Sequence, residues 1–477
     1  MKKRIAASIL AAAMAASALT ACSGGNAASA DGSAAGGTTA GESAESSAAS
    51  QASGVITDGF ADVDTNGVTV SFWHAMGGVN GEAMDYLVNK FNEENTDGIT
   101  VEAVYQGSYD DTINKLKSAQ IGNMGADLVQ IYDIGTRFMI DSGWVIPMQE
   151  MVDADGYDLS ALEPNIAAYY TTDDGSLYSM PFNSSTPLLY YNKDMFDAAG
   201  ITEIPTSLPQ IAEIGDALMN EGGAQEVIAI SIYGWWFEQF MSKQGLDLVD
   251  SENGRAAAAT KVVFDENGGG LNILNAWKDL YDQGYAPNVG RSGSDTASAD
   301  FTAGKAAMML GSTASLKQIL QDVGDSFEVG TAYYPAVSDT DEGGVSIGGA
   351  SLWALNNQDE KQAAATWKFV KFLISPESQA YWNAQTGYFP VTTDAAEEQT
   401  FKDNIAQYPQ FQTAIDQLHD SAPEYAGALL SVFPESRQII ETEIEEMING
   451  NQTAEEALQS MTDQINETIE EYNLING

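Results

Sequence analysis

The chain has one cysteine and two histidines in 477 residues. A single thiol forms no intramolecular disulfide and no thiolate metal cluster. Two imidazoles leave little for a zinc site or a general base. Basic residues are scarce too: 20 Lys and Arg stand against 68 Asp and Glu, a formal net charge of -48. So acidic a chain repels phosphate backbones and anionic headgroups, which argues against nucleic-acid binding. There is no G-x-x-x-x-G-K-[ST], no H-E-x-x-H and no C-x-x-C, so phosphate-loop, zinc-protease and dithiol chemistry are missing. His74 and His419 read as structural and solvated, respectively. The acidic pairs Glu93/Glu94, Asp110/Asp111 and Glu470/Glu471 read as solvated faces. No cofactor and no metal site is expected.

What is present begins with an address. Lys2, Lys3 and Arg4 precede an Ala-rich apolar run from Ile5 to Leu19, too short to span a membrane comfortably. It ends in Leu19-Thr20-Ala21-Cys22, which resembles the lipobox of bacterial lipoproteins. That resemblance implies a signal peptide at 1–21, acylation of Cys22 (palmitate among the chains) and a lipid anchor on the outer face of the cytoplasmic membrane. Residues 22–65 are then expected to be a flexible linker. From Ser23 to Gly54 it has no large apolar side chain and cannot build a core.

The body is long enough for two or three domains, and 44% hydrophobic residues can supply their cores. Val68–Trp73, Ile99–Tyr105 and Asp127–Tyr132 read as strands. Met84, Leu87, Val88 and Phe91 mark a helix between the first two. Ile113 and Leu116 mark a second helix, which Gly122 ends. Strands alternating with helices predict a parallel α/β sheet, whose ligands gather at the carboxyl ends of the strands. Helices are expected at Asp194–Gly200, Leu208–Asn220, Asn272–Asp282 and Lys361–Ile374, and a short buried strand at Ala306–Leu310. Gly268-Gly-Gly270 is expected to be a turn. Thr453 and Glu456 form a capping box ahead of a last helix.

The chemistry-bearing residues make a binding vocabulary. Eight Trp and 20 Tyr recur beside Gly, Ser and Asn, a mixture that suits polyols and sugars. In Tyr233-Gly-Trp-Trp236 at least one indole is expected to face a cleft.

Several stretches together are similar to the solute-binding proteins of ABC importers, in the carbohydrate-binding group that includes maltose-binding protein. They are Phe72-Trp-His74, Tyr105-Gln-Gly-Ser-Tyr109, Phe182-Asn-Ser-Ser-Thr-Pro-Leu-Leu-Tyr-Tyr-Asn-Lys-Asp194, Val289-Gly-Arg291, Ile347-Gly-Gly-Ala-Ser-Leu-Trp353 and Thr386-Gly-Tyr-Phe-Pro390. More narrowly they resemble the branch that binds sn-glycerol-3-phosphate. The resemblance implies a maltose-binding-protein-like α/β fold of two lobes, each a mostly parallel sheet flanked by helices, joined by three hinge crossings. Lobe 1 is expected at 66–182 and 350–428, lobe 2 at 183–349 and 429–477. It implies ligand contacts at Tyr109, Asp133, Ser185, Ser312, Gly349, Tyr388 and Arg437, with Trp235 or Trp236 as a floor under the glycerol. Asp133 stands where the branch has Glu.

The expected function is therefore non-enzymatic. The chain would capture sn-glycerol-3-phosphate or a glycerophosphodiester by hinge closure and deliver it to an ABC permease powered by a separate ATPase. An oligosaccharide or other sugar is the alternative ligand. A secreted glycoside hydrolase, using Asp133 and a second carboxylate, is the alternative from another class.

Overall fold

A computed structural model of the protein describes residues 53–122, 125–172, 175–291 and 294–476. Cys22 and the signal segment lie outside them. The strands are β1 (Thr69–His74), β2 (Thr100–Tyr105), β3 (Leu128–Tyr132), β4 (Val145–Ile146), β5 (Met180–Ser185), β6 (Pro187–Asn192), β7 (Glu226–Ala229), β8 (Ala306–Ser312), β9 (Val329–Tyr333) and β10 (Gly348–Leu355). They form a six-stranded sheet, ordered β2-β1-β3-β10-β4 with β5 also on β10, and a four-stranded sheet, ordered β7-β8-β6-β9.

The β-branched and aromatic runs read from the sequence become β1, β2 and β3, paired in parallel. Helix Gly78–Glu94 connects the first two and buries Met84, Leu87, Val88 and Phe91, the stripe its spacing predicts. Helix Tyr109–Ile121 connects the next two. It starts in a capping box of Ser108 with Asp111 and stops at Gly122. That cap places Tyr109 as the first helical residue, just beyond the carboxyl end of β2.

The sheets are less parallel than expected. β10 runs antiparallel to β3, β4 and β5, and β6 runs antiparallel to β8 and β9; only β7–β8 is parallel in the second sheet. The antiparallel strands are those beside the crossings: β6 follows β5 of the other sheet across Thr186 alone, and β10 follows β9 of the other sheet, so neither enters its sheet through a strand–helix–strand unit as β2 and β3 do.

Two segments pass from one sheet to the other, and a third returns the chain to the helix that follows β7. The first is Thr186. The second lies between β9 and β10, where Gln239 donates to Ser346 Oγ at 2.7 Å and accepts from its N–H at 3.0 Å. The third precedes helix Phe433–Ile448, which packs on helix Gly234–Lys243 and on the last helix, Ala454–Asn476. Gln417 buttresses the first two crossings. It donates to Pro187 O at 2.7 Å and accepts from Tyr334 N at 2.6 Å.

Two further expectations change. Residues 53–65 were assigned to the linker, yet they lie on the body. Ser53 bonds the Glu150 carboxylate, Thr57 bonds that of Glu360, and Phe60 and Thr65 are buried. Gly268 is a left-handed cap, but Gly269 and Gly270 open helix Gly269–Asp282 instead of forming a turn. A Cβ on Gly269 would lie 2.7 Å from Met241 Cε, and one on Gly270 2.7 Å from Leu458 Cδ1. The glycines are there for close helix packing. The capping box of Thr453 with Glu456 forms as read, at 2.9 and 3.2 Å.

Gly349 supplies a test. Its φ is +99°, and an added Cβ would lie 2.0 Å from Asn183 O on β5. Gly143 has φ +65° with open space around it. Gly143→Ala should cost about 1 kcal/mol from backbone strain alone. Gly349→Ala should cost about 2–4 kcal/mol, because it also parts β5 from β10. Urea denaturation of both variants measures the difference, and equal losses would remove the steric argument.

Candidate ligand-binding cleft

The carboxyl ends of β1, β2 and β3 face one region, and polar side chains from both sheets converge there. Tyr109 Oη lies 3.3 Å from Tyr388 Oη and accepts from Asn183 Nδ2 at 2.9 Å. Asn183 in turn accepts from Gln130 Nε2 at 2.7 Å, and Gln130 accepts from the Ala75 N–H at 2.9 Å. This chain of bonds ties the ends of β1, β3 and β5 to the Thr386-Gly-Tyr388 loop. The Tyr109 ring stacks on Tyr132 at 5.4 Å, and the Tyr388 ring on Trp382 at 5.7 Å.

Beside these hydroxyls sits a buried charged cluster. Arg437 is 6% exposed. Its Nε and Nη2 donate to the two oxygens of Glu238 at 2.8 and 2.7 Å, and Nη1 donates to Tyr233 Oη at 3.2 Å. Asp133 Oδ2 lies 3.9 Å from Nη2. The guanidinium also lies over the Tyr233 ring, 5.2 Å from its centre. Glu441, one turn beyond Arg437 on the same helix, accepts from the Gly234 N–H at 2.9 Å. Pro434 stands in the first turn of that helix, where its missing N–H costs nothing.

Cavities open on both sides of the cluster. One of about 300 Å³ is walled by Tyr109, Asp110, Tyr132, Tyr233, Arg437 and Glu441. The other, about 260 Å³, is walled by Asp133, Tyr169, Glu238, Ser346, Tyr425 and Phe433. Both are at the small end for ligand pockets and suit a compact polar molecule. Burial pushes the hydroxyls of Tyr109, Tyr132 and Tyr233 well up, so they remain protonated donors. Burial likewise raises Glu441.

The structure brings Tyr109, Tyr388, Asp133 and Arg437 into this one region. Gly349 and Ser185 lie in the β5–β10 ladder beside it, where Gly349 pairs with Ser184 and Ser185 with Gly348. Ser312 ends β8 opposite Pro187, and its Oγ accepts from the Ala314 N–H at 3.2 Å. Trp235 and Trp236 are both buried. Trp236 donates to Ser231 Oγ at 3.1 Å and stacks near Tyr334 in the core. Trp235 lies against Gly348, and its indole N–H has no partner among the described residues. The member of that segment that walls a cavity is Tyr233.

The sequence reading did not name Glu238, Tyr233, Asn183 or Glu441 among the ligand contacts. It also passed over a G-x-S-x-G spacing, Gly344-Val-Ser-Ile-Gly348. This stretch precedes β10 instead of joining a strand to a helix, and Ser346 is bonded to Gln239. His74 Nδ1 accepts from the Met76 N–H, and His419 meets Glu163 at 2.8 Å, so neither imidazole is directed at that serine. His419 is thus paired, not merely solvated.

A two-sheet α/β chain with a polar cleft between the sheets defines a class, and the comparisons agree. The chain matches the bacterial extracellular solute-binding protein family over residues 86–413, and it belongs to that family. It is 32% identical over 413 residues to the sn-glycerol-3-phosphate-binding periplasmic protein UgpB of Salmonella typhimurium, covering 85% of this chain and 93% of that protein. It is 30% identical over 438 residues to UgpB of Escherichia coli, covering 89% and 97%. Among solved structures, UgpB of Mycobacterium tuberculosis in complex with glycerophosphocholine superposes with a TM-score of 0.71 at 22% identity, covering 85% and 99%. The GacH receptor of Streptomyces glaucescens, solved unliganded and with acarbose, has the same score and identity, covering 84% and 98%. The fold is therefore the two-lobed one of maltose-binding protein and its kin. No helix among the described residues is long and apolar enough to cross a membrane.

Asp133 sets a pH dependence. Burial raises its carboxyl most, Arg437 offsets part of the rise and Glu238 adds to it, leaving it at about 7 against an ordinary 3.8. Between those values the folded protein keeps a proton that the unfolded chain has released. Stability therefore falls as pH rises through this window, and the loss is complete above it. Asp133→Asn should stabilise the protein by about 2–4 kcal/mol at pH 8 and by about 1 kcal/mol or less at pH 4.5. Denaturation at both pH values checks it; an equal gain at the two would mean that this carboxyl does not titrate there.

Proposed function

We propose that the chain is the extracytoplasmic binding subunit of an ABC importer that captures sn-glycerol-3-phosphate or a glycerophosphodiester. The observation that carries the reading is the convergence of one buried guanidinium, Arg437, with the hydroxyls of Tyr109, Tyr132 and Tyr233 around a cavity of about 300 Å³. A phosphate needs charge-assisted donors, and a glycerol needs groups that exchange hydrogen bonds with hydroxyls. Arg437, Ser185, Ser312 and the Gly349 N–H are the phosphate partners in this reading. Asp133, Tyr109 and Tyr388 read the glycerol, and Trp235 or Trp236 supports it. The relatives named for sn-glycerol-3-phosphate, at 30–32% identity over most of the chain, support the same ligand.

Capture occurs by closure of two lobes, at about 66–182 with 350–428 and 183–349 with 429–477, about the three crossings. No bond is made or broken in this chain, and transport is driven by a separate ATPase through a membrane permease. A neutral sugar is the second reading. The carboxylates around Arg437 favour it, as does the likeness to GacH, solved with acarbose.

Calorimetry of the soluble body against glycerol-3-phosphate, glycerophosphoglycerol and maltose decides between them. Arg437→Ala should cost a phosphate ligand about 2–4 kcal/mol, a loss of roughly 30- to 1000-fold. It should cost a neutral sugar much less. Circular dichroism must accompany it, because the change leaves Glu238 buried without its partner. Binding of maltose alone would leave only the importer-subunit role standing.

The anchor is part of the proposal: Cys22 carries the lipid that holds the body at the membrane. Cys22→Ala should release the folded body or leave an uncleaved precursor, read by fractionation and mass spectrometry. A lipidated, processed product from that variant would refute the anchor.

A further inference from the structure

The cation that a phosphate would seek is already occupied. Glu238 meets Arg437 fork to fork through Nε and Nη2, the two-point geometry a phosphate would use. Among the described residues the other charged groups on the walls beside the guanidinium are acidic; a second cation, Arg255, stands farther off, over the Tyr169 ring at 5.3 Å. Asp133 approaches from the end of β3 and Glu441 lines the adjoining cavity from Arg437's own helix. Asp110 accepts from Tyr132 on its far wall at 2.8 Å. One positive charge therefore faces several carboxylates before any ligand arrives.

We infer that Glu238 sets the charge of the ligand this cleft accepts. Its carboxylate holds the two-point face of Arg437 and so discriminates against phosphate dianions. It leaves Nη1, beside Tyr233, for ligands that present at most one negative charge. Arg437 and Glu238 are 7% and 10% exposed at their side chains, so solvent does little to screen a second negative charge placed there. This rests on the glycerol-phosphate reading above and narrows it to monoanions, which makes Glu238 a specificity determinant of the cleft.

The test compares glycerol-3-phosphate with glycerophosphoglycerol, a diester with one negative charge and no cation, on the soluble body. At pH 8 the monoester is a dianion, since the second ionisation of such phosphates falls at about pH 6. Wild type should bind the diester at least about tenfold more tightly at pH 8, and the ratio should shrink at pH 5.5, where the monoester is mostly a monoanion. Asp133 also gains charge between these pH values and repels a dianion about twice as strongly as a monoanion, so the assignment to Glu238 rests on the variant. Glu238→Gln keeps the shape and removes the charge. It should shrink the ratio at pH 8 by about tenfold, mainly through tighter monoester binding. If Glu238→Gln weakens both esters equally, Glu238 only positions Arg437 and the inference is overturned. A wild-type ratio that ignores pH overturns it without any variant. Wild type that binds neither ester but binds maltose overturns the glycerol-phosphate reading and this inference together.

Discussion

A guanidinium taken out of water must meet a carboxylate, and that requirement organises the space between the two sheets. Arg437 reaches this space on helix Phe433–Ile448, and Glu238 reaches it on helix Gly234–Lys243. The two helices can approach because Gly234 has no side chain: a Cβ there would lie 2.3 Å from Arg437 Cγ. The approach sets the ion pair, and the ion pair holds Tyr233 and brings Asp133 within 3.9 Å. Removing one member of such a pair typically costs about 3–5 kcal/mol, whereas replacing both by apolar groups of the same shape costs little or nothing. Stability alone is thus a weak reason for building it. A cleft that must present a fixed donor geometry to a ligand is a better one.

The elements were legible where local chemistry was strong. Met84, Leu87, Val88 and Phe91 are buried at the spacing that marks a helix, and Ser108 with Asp111 caps the next one. The direction of β10 and β6 was not legible, because strand direction follows from connections that no periodicity encodes. Residues 53–65 were assigned to the linker, although the composition that argued for one ends at Gly54. Phe60 and the acceptors Glu150 and Glu360 on distant helices hold them to the body.

The cleft was legible unevenly, for reasons of abundance. Arg437 is one of only 20 basic residues, so its place in Pro434-Glu-Ser-Arg437 carried information. Glu238 is one of 68 acidic residues, and nothing in Phe237-Glu-Gln-Phe240 distinguishes it. Its importance arises only when a helix from the far end of the chain brings a cation to it. The tryptophans show the converse. An adjacent pair of indoles draws attention in a sequence, yet both rings are buried, and Tyr233 is the neighbour that bonds Arg437 and walls a cavity.

Long-range and short-range electrostatics separate in this molecule. A formal charge of -48 repels any anion at a distance, but at physiological ionic strength that field decays over about 8 Å. What a ligand meets on entry is the local arrangement, and there the balance is set by few groups. Arg437 supplies the positive charge that walls the cavity, Glu238 cancels it at contact distance, and Asp133 changes its charge near neutrality. A buried acid poised in this way adjusts at low cost, since taking up a proton removes the repulsion that an arriving negative charge would create. The shorter arm of Asp133 then acquires a physical role. It keeps the carboxyl 3.9 Å from Arg437, close enough to feel the cation and beyond the contact distance that Glu238 takes. In the proposed reading Asp133 thus stays outside the two-point contact that Glu238 makes and can exchange hydrogen bonds with a hydroxylated ligand.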